Sequence, residues 1–430
     1  MGTARRQAFR SERKRLWTLL LAGVVTLSAL LAAPVGATNL RGKGEVNVGD
    51  VHMNSSTLAE DPLPVEITSV EDATEERITT VGENVTLVVS SEDVVSDFLA
   101  STTLWDTDVL LGMYTSASLQ VTAHEIAQID GWLVANNLDT RVAIAGTFMD
   151  VEFPNPDWNV WADLNAAWDQ GAIPFVNLAV GTTDNGPRSA SDVADGVIDD
   201  VLRAWASIFA QWTNNGERKA FIAPLQEMNS DWVTYGLDPD SYKAAFARFQ
   251  RIFAEEGVPE EAVLWVFAPN GWSMPGHEFE GYYPGDDIVD VVGFSAFNFG
   301  ACVADGHGWD PYNVVIEPYL DRMRLMAPDK PVFLAQTGTV EQGGDKGEWL
   351  KDSFSELATV QQFRAVIYFN VSKTEAGAPF CNPVDWRVYR PDDGTGDDAF
   401  VEAVRILEGG DPVGEPPVLN NHIFIPLLSN

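Results

Sequence analysis

The chain has 430 residues, 45% of them hydrophobic, which is enough for a core of full barrel size. It carries 63 acidic against 27 basic residues, a formal charge of -36. A surface that acidic repels nucleic acid and anionic lipid and favours a neutral or cationic partner, without selecting one.

The first segment reads as an export signal. Arg5, Arg6, Arg10, Arg13, Lys14 and Arg15 precede an apolar run over 16–33, and Val35-Gly36-Ala37 supplies the small residues of a cleavage site. A signal peptide over 1–37, with the mature chain secreted or held at the cell envelope, is therefore expected. Residues 38–104 are acidic and rich in Ser and Thr, with strand-like runs at 65–68 and 84–89, and are read as a linker and N-terminal extension. From 105 to 408 short apolar runs alternate with helix-like stretches. The expected strands are 109–114, 141–147, 173–178, 221–225, 263–267, 289–294, 331–335 and 365–369. Amphipathic helices are expected over 122–136, 191–214 and 241–257. Eight strands alternating with helices predict an α/β chain, a (β/α)8 TIM barrel with an N-terminal extension. A doubly wound open sheet fits less well, because no Gly-rich phosphate loop follows the first strand. The stretch 409–430 is a Pro-rich tail ending in the apolar run 423–428.

Chemistry in such a barrel sits at the C-terminal ends of the strands. The fourth strand runs into Gln226-Glu227-Met228-Asn229, so Glu227 belongs at that face. A carboxyl among apolar neighbours is desolvated and kept protonated to higher pH, as a general acid requires. A surface Glu at a helix start is the plainer alternative. Trp232, Tyr235, Trp272, Trp309 and Trp386 also follow expected strands, and aromatic faces stack on pyranose rings. Asn229, Asn270 and Asn298 are the candidate partners for sugar hydroxyls. The five His show no metal spacing, and no cofactor is called for. Asp305, His307 and Asp310 form a loop cluster better read as solvated than as a cation site. Cys302 and Cys381 follow the sixth and eighth strands, at the same barrel end. Export permits a disulfide between them, and two buried free thiols are the alternative.

Several segments, in order, resemble glycoside hydrolase family 26. They are Ala145-Gly146-Thr147-Phe148-Met149-Asp150, then Glu227-Met228-Asn229 with Trp232 and Tyr235-Gly236, then 263–270, 290–294 and 330–338. The resemblance covers most of 107–372. It implies a (β/α)8 barrel and retaining hydrolysis of β-mannan, with some members acting on β-glucan or xylan; the partner would be a polysaccharide or oligosaccharide. The sequence leaves the oligomeric state open. Retention needs two carboxylates about 5–5.5 Å apart. The resemblance makes Glu227 the acid/base and puts the nucleophile at the end of the seventh strand, where this chain has Gln336. Gln226 stands where the family usually has His, and Phe297, beside Asn298, where a supporting Tyr is common. These departures fit a catalytically inactive, carbohydrate-binding relative, or an envelope protein using the barrel as a scaffold. The competing reading is a rearranged site drawing on Asp150, Asp231 or Glu341. If the remaining site is intact, Gln336→Glu is expected to raise the hydrolytic rate.

Overall fold

The computed structural model describes residues 109–409, apart from 116–120, 154–155, 183–185, 304–308 and 375–378. The expectations for 1–37, 38–104 and the tail beyond 409 lie outside the described residues, as do Asp305 and His307.

Eight strands close into one parallel barrel in sequential order, with the first hydrogen-bonded to the last. They are β1 (Leu110–Tyr114), β2 (Val142–Asp150), β3 (Ile173–Ala179), β4 (Ala220–Pro224), β5 (Val263–Phe267), β6 (Val291–Asn298), β7 (Val332–Thr339) and β8 (Phe363–Phe369). Their near-continuous apolar composition follows from burial on both faces. One set of side chains fills the barrel: Ile144, Phe175, Phe221, Val266, Phe333 and Ile367 form a single cluster. Phe221 meets Phe333 edge-on at 5.2 Å. Tyr114 closes this layer toward the mouth by lying over Gly146, where any Cβ would stand 2.4 Å from the ring.

The other face of the sheet packs under helices. These are α1 (Ala123–Ala135), α2 (Pro156–Trp168), α3 (Ala190–Ala194), α4 (Asp199–Trp212), α5 (Pro239–Glu255), α6 (Tyr312–Val315), α7 (Glu317–Met326), α8 (Lys346–Ala358) and α9 (Asp398–Leu407). The sequence suggested one helix over 191–214. The chain instead forms α3 and α4, because Gly196 takes a φ of +81° and turns the backbone between them. Arg248 lies against that glycine and pairs with Asp199 at the start of α4 at 2.6 Å, so a side chain at 196 would have no room.

Three strands run at least three residues further than expected, and β2 is one of them, continuing to Asp150. β6 continues to Asn298 and β7 to Thr339. The pairing between them shifts at Ser295: Phe294 faces Leu334, but Ser295 faces Gln336. The extra residue, Ala335, is a bulge, and it moves Gln336 from the outward to the inward phase of the strand. Gln336 therefore lies within β7, not at its end.

Candidate active site

β4 stops at Pro224, and the chain turns sharply. Leu225 and Glu227 hold φ values of +52° and +56°, a left-handed backbone that costs a non-glycine residue of the order of 1–3 kcal/mol. Hydrogen bonds hold the turn. Leu225 N donates to Leu178 O at 2.8 Å, Glu227 N to Ala268 O at 2.9 Å, and Leu237 N to Met228 O at 2.9 Å. The strained turn carries Glu227 into the mouth rather than onto a helix start, so the surface reading of this residue does not apply. Its side chain is 3% exposed. Trp232 Nε1 donates to one carboxylate oxygen at 2.8 Å and Asn270 Nδ2 to the other at 3.2 Å. Burial pushes the carboxyl pKa up, while Trp232, Ser295, Asn270 and the charge of Lys373 pull against it. The group is thus braced at both oxygens yet biased toward holding its proton, as a general acid must be.

Gln336 sits in the same mouth, in a chain of hydrogen bonds. Its Nε2 donates to Asn177 Oδ1 at 3.4 Å. Asn177 Nδ2 donates to Tyr114 Oη at 2.8 Å and to Thr147 O at 3.1 Å. Tyr114 Oη donates to Ala335 O at 3.1 Å, next to the starting point. Sequence reading missed Tyr114, Asn177, Thr147 and Ser295. The available signal was a polar residue in the otherwise apolar β3 segment Ile-Pro-Phe-Val-Asn-Leu-Ala.

The structure gathers some expected groove residues and commits others elsewhere. Trp272 is half-buried, stacks on Trp232 at 6.1 Å, and lines a cleft with Asn270, Ser295, Phe297, Phe299 and Tyr319. Trp309 is half-buried beside Gly344. Tyr235 and Trp386 are corrections to the groove list, since both are buried and offer no free ring face. Tyr235 Oη donates to Gln226 O, and Trp386 packs among Phe297, Phe299 and Phe369. Asn229 is likewise occupied: its amide nitrogen reaches Asn270 O, Trp272 O and Ser273 Oγ, and its oxygen accepts from Asn270 N. Asn298 bridges Thr339 Oγ1 and Gly300 N. These two amides fix loops instead of pointing at a ligand.

The structure also places the rival carboxylates. Asp150 accepts from Glu152 N, Thr182 N and the Thr182 hydroxyl, so its lone pairs serve the loops after β2 and β3. Asp231 is half-buried beyond Glu227. Glu341 is exposed in the loop after β7, where its charge bears on Lys346. Cys302 and Cys381 form a disulfide with Cα atoms 4.9 Å apart, tying the loops after β6 and β8. Among the described residues no group of three His, Cys, Asp or Glu could hold a metal ion.

A braced acid at the C-terminal mouth of a closed (β/α)8 barrel, next to an aromatic cleft, is the arrangement of a glycosidase-type barrel. Residues 115–320 match the family model described as glycosyl hydrolase family 26. That match covers just under half of the chain, which is thus similar to that family over most of its barrel. The chain is 26% identical over 233 residues to endoglucanase H of Acetivibrio thermocellus, covering 52% of this chain. The match spans only 23% of that relative's length. Among solved structures it is similar to a mannanase of Bacillus subtilis (18% identity, 71% of this chain and 94% of the other, TM-score 0.44). It is also similar to a modular endo-β-1,4-mannanase of Cellulomonas fimi (15% identity, 75% of each chain, TM-score 0.49).

Proposed function

We propose that this barrel binds a neutral β-linked polysaccharide of the β-mannan or β-glucan type, and that hydrolysis of the bound chain is slow. The observation that carries the reading is the pairing of a buried, braced acid at Glu227 with an amide at Gln336. Glu227 can protonate a glycosidic oxygen. The retaining route then needs a carboxylate to attack the anomeric carbon and form a glycosyl ester. An amide carries no charge and forms no such ester. Asp150 is bound by three donors in its own loops, and Glu341 is exposed beyond the end of β7. The family-model match and the endoglucanase relative support the β-glycan class, and the half-buried face of Trp272 suits a pyranose ring. An acidic surface accepts a neutral polymer without charge repulsion.

The test is titration calorimetry with soluble β-mannan, mixed-linkage β-glucan and xylan. Saturable heat with a mannan or glucan is expected. Absence of heat with all three would leave the barrel as a scaffold. The same reading puts the protein outside the cell after cleavage behind Ala37. Mass spectrometry of culture supernatant should find a chain beginning at Thr38, and a secreted chain retaining Met1 would contradict this.

A further inference from the structure

We infer that Asn177 is a positioning residue that makes position 336 an amide site, fixing Gln336 so that its carbonyl, not a charge, is offered to the ligand. This rests on the β-glycan reading for its consequence but not for its geometry. The direction of each hydrogen bond follows from the groups themselves. Thr147 O is a backbone carbonyl and can only accept, so the Asn177 atom 3.1 Å away must be the amide nitrogen. Asn177 therefore turns its oxygen to Gln336, and the Gln336 atom opposite it must be the donor Nε2. Tyr114 Oη accepts from Asn177 and donates its own O–H to Ala335 O, another obligate acceptor. Both ends of the circuit are backbone carbonyls, so its polarity cannot be reversed without setting two oxygens against each other. Tyr114, Thr147 and Asn177 are essentially inaccessible to solvent, so water does not step in. The Gln336 carbonyl lies on the other side of the same amide carbon and remains an uncharged acceptor for a sugar hydroxyl.

The consequence opposes the expectation drawn from sequence. Gln336→Glu by itself sets a buried carboxylate against Asn177 Oδ1, so the charge is not simply restored to a waiting site. The fold should resist that carboxylate when it is ionised and accept it when it is protonated, because a protonated carboxyl can donate to Asn177 as the amide does.

Urea unfolding tests this without any sugar, so its failure and the failure of glycan binding are separate results. All chains carry Glu227→Gln, which removes the other mouth carboxyl. The remaining ionisable groups around the circuit include Tyr114 on β1, Asp150 at the end of β2, Lys373 beyond β8, and Asp163 on α2, whose carboxylate accepts from Thr147 Oγ1 at 3.0 Å. They are common to every chain, and because Asp163 changes charge between pH 4 and 8, the Gln336→Glu loss is read at each pH against Gln336→Met, which carries the same groups. At pH 8, Gln336→Glu should lower the folding equilibrium constant by about tenfold to a hundredfold, the usual cost of a buried unsatisfied polar group. The loss should shrink at least fivefold at pH 4, and at least fivefold in an Asn177→Ser background, where a hydroxyl can donate to the carboxylate. Gln336→Met, uncharged and of similar size, should show a loss that does not change with pH. If Gln336→Glu does not fold at pH 8, recovery of the folded chain at pH 4 supports the inference, and failure at both pH values with Gln336→Met folded overturns it. An equal loss in the Asn177 and Ser backgrounds, or a Gln336→Glu chain as stable at pH 8 as its parent, also overturns it.

Discussion

Replacing both Cys302 and Cys381 with Ala removes the cross-link between the loops after β6 and β8. The bridged residues are 79 apart in sequence. In the chain-entropy treatment a loop of that length removes about 15 cal/mol/K from the unfolded ensemble, or about 4.5 kcal/mol at 25 °C. The barrel from Leu110 to Leu407 spans about 300 residues, and unfolding entropy near 2.1 cal/mol/K per residue gives about 0.6 kcal/mol/K for the whole. The midpoint should therefore fall by about 7 °C in scanning calorimetry of the double variant against the oxidised protein. The loss should extend to binding, because Phe299 and Val303, which line the cleft, flank the tied segment. A midpoint change below about 2 °C, or two titratable thiols in the unfolded but unreduced natural protein, would refute the reasoning.

Two further outcomes follow from groups around the mouth. Burial raises the carboxyl of Asp163 from 3.8 to about 7, with Thr147 as its one offsetting partner. An acid whose folded pKa is raised binds its proton more tightly when folded, so its contribution is fully present below about pH 4 and is lost as pH rises to about 7. Asp163→Asn should flatten that part of the stability profile, and parallel profiles for the two proteins between pH 4 and 7 would show that the carboxyl is not held protonated. Trp272→Ala should weaken β-mannan binding about tenfold while leaving the unfolding midpoint nearly unchanged, since the ring is half-buried at the cleft. Equal affinity in calorimetry would remove Trp272 from the binding surface.

The strand count and order were legible because each barrel strand is a short apolar run, and Glu227 was legible because it follows the fourth of them. The exact ends were not. Gly196 could have been read as a tolerated helix residue, and only its positive φ against Arg248 makes it a break. The inward turn of Gln336 depends on the bulge at Ala335, a register event that side-chain periodicity cannot express. Asn229, Asn298, Tyr235 and Trp386 looked like ligand contacts because residue type and position beyond a strand suggested it. Which way each one faces is decided by loop hydrogen bonds and aromatic packing between elements far apart in sequence.

The central claim is that the mouth pairs a working acid with an amide and so holds β-glycan without efficient turnover. The most direct test is reducing-end release from saturating β-mannan by the natural protein, in solutions where calorimetry has established binding. The account predicts bound polysaccharide with release near the level of a Glu227→Gln control. Robust release by the natural protein, lost in Glu227→Gln but unchanged by Gln336→Met, would contradict it and require a nucleophile elsewhere in the mouth.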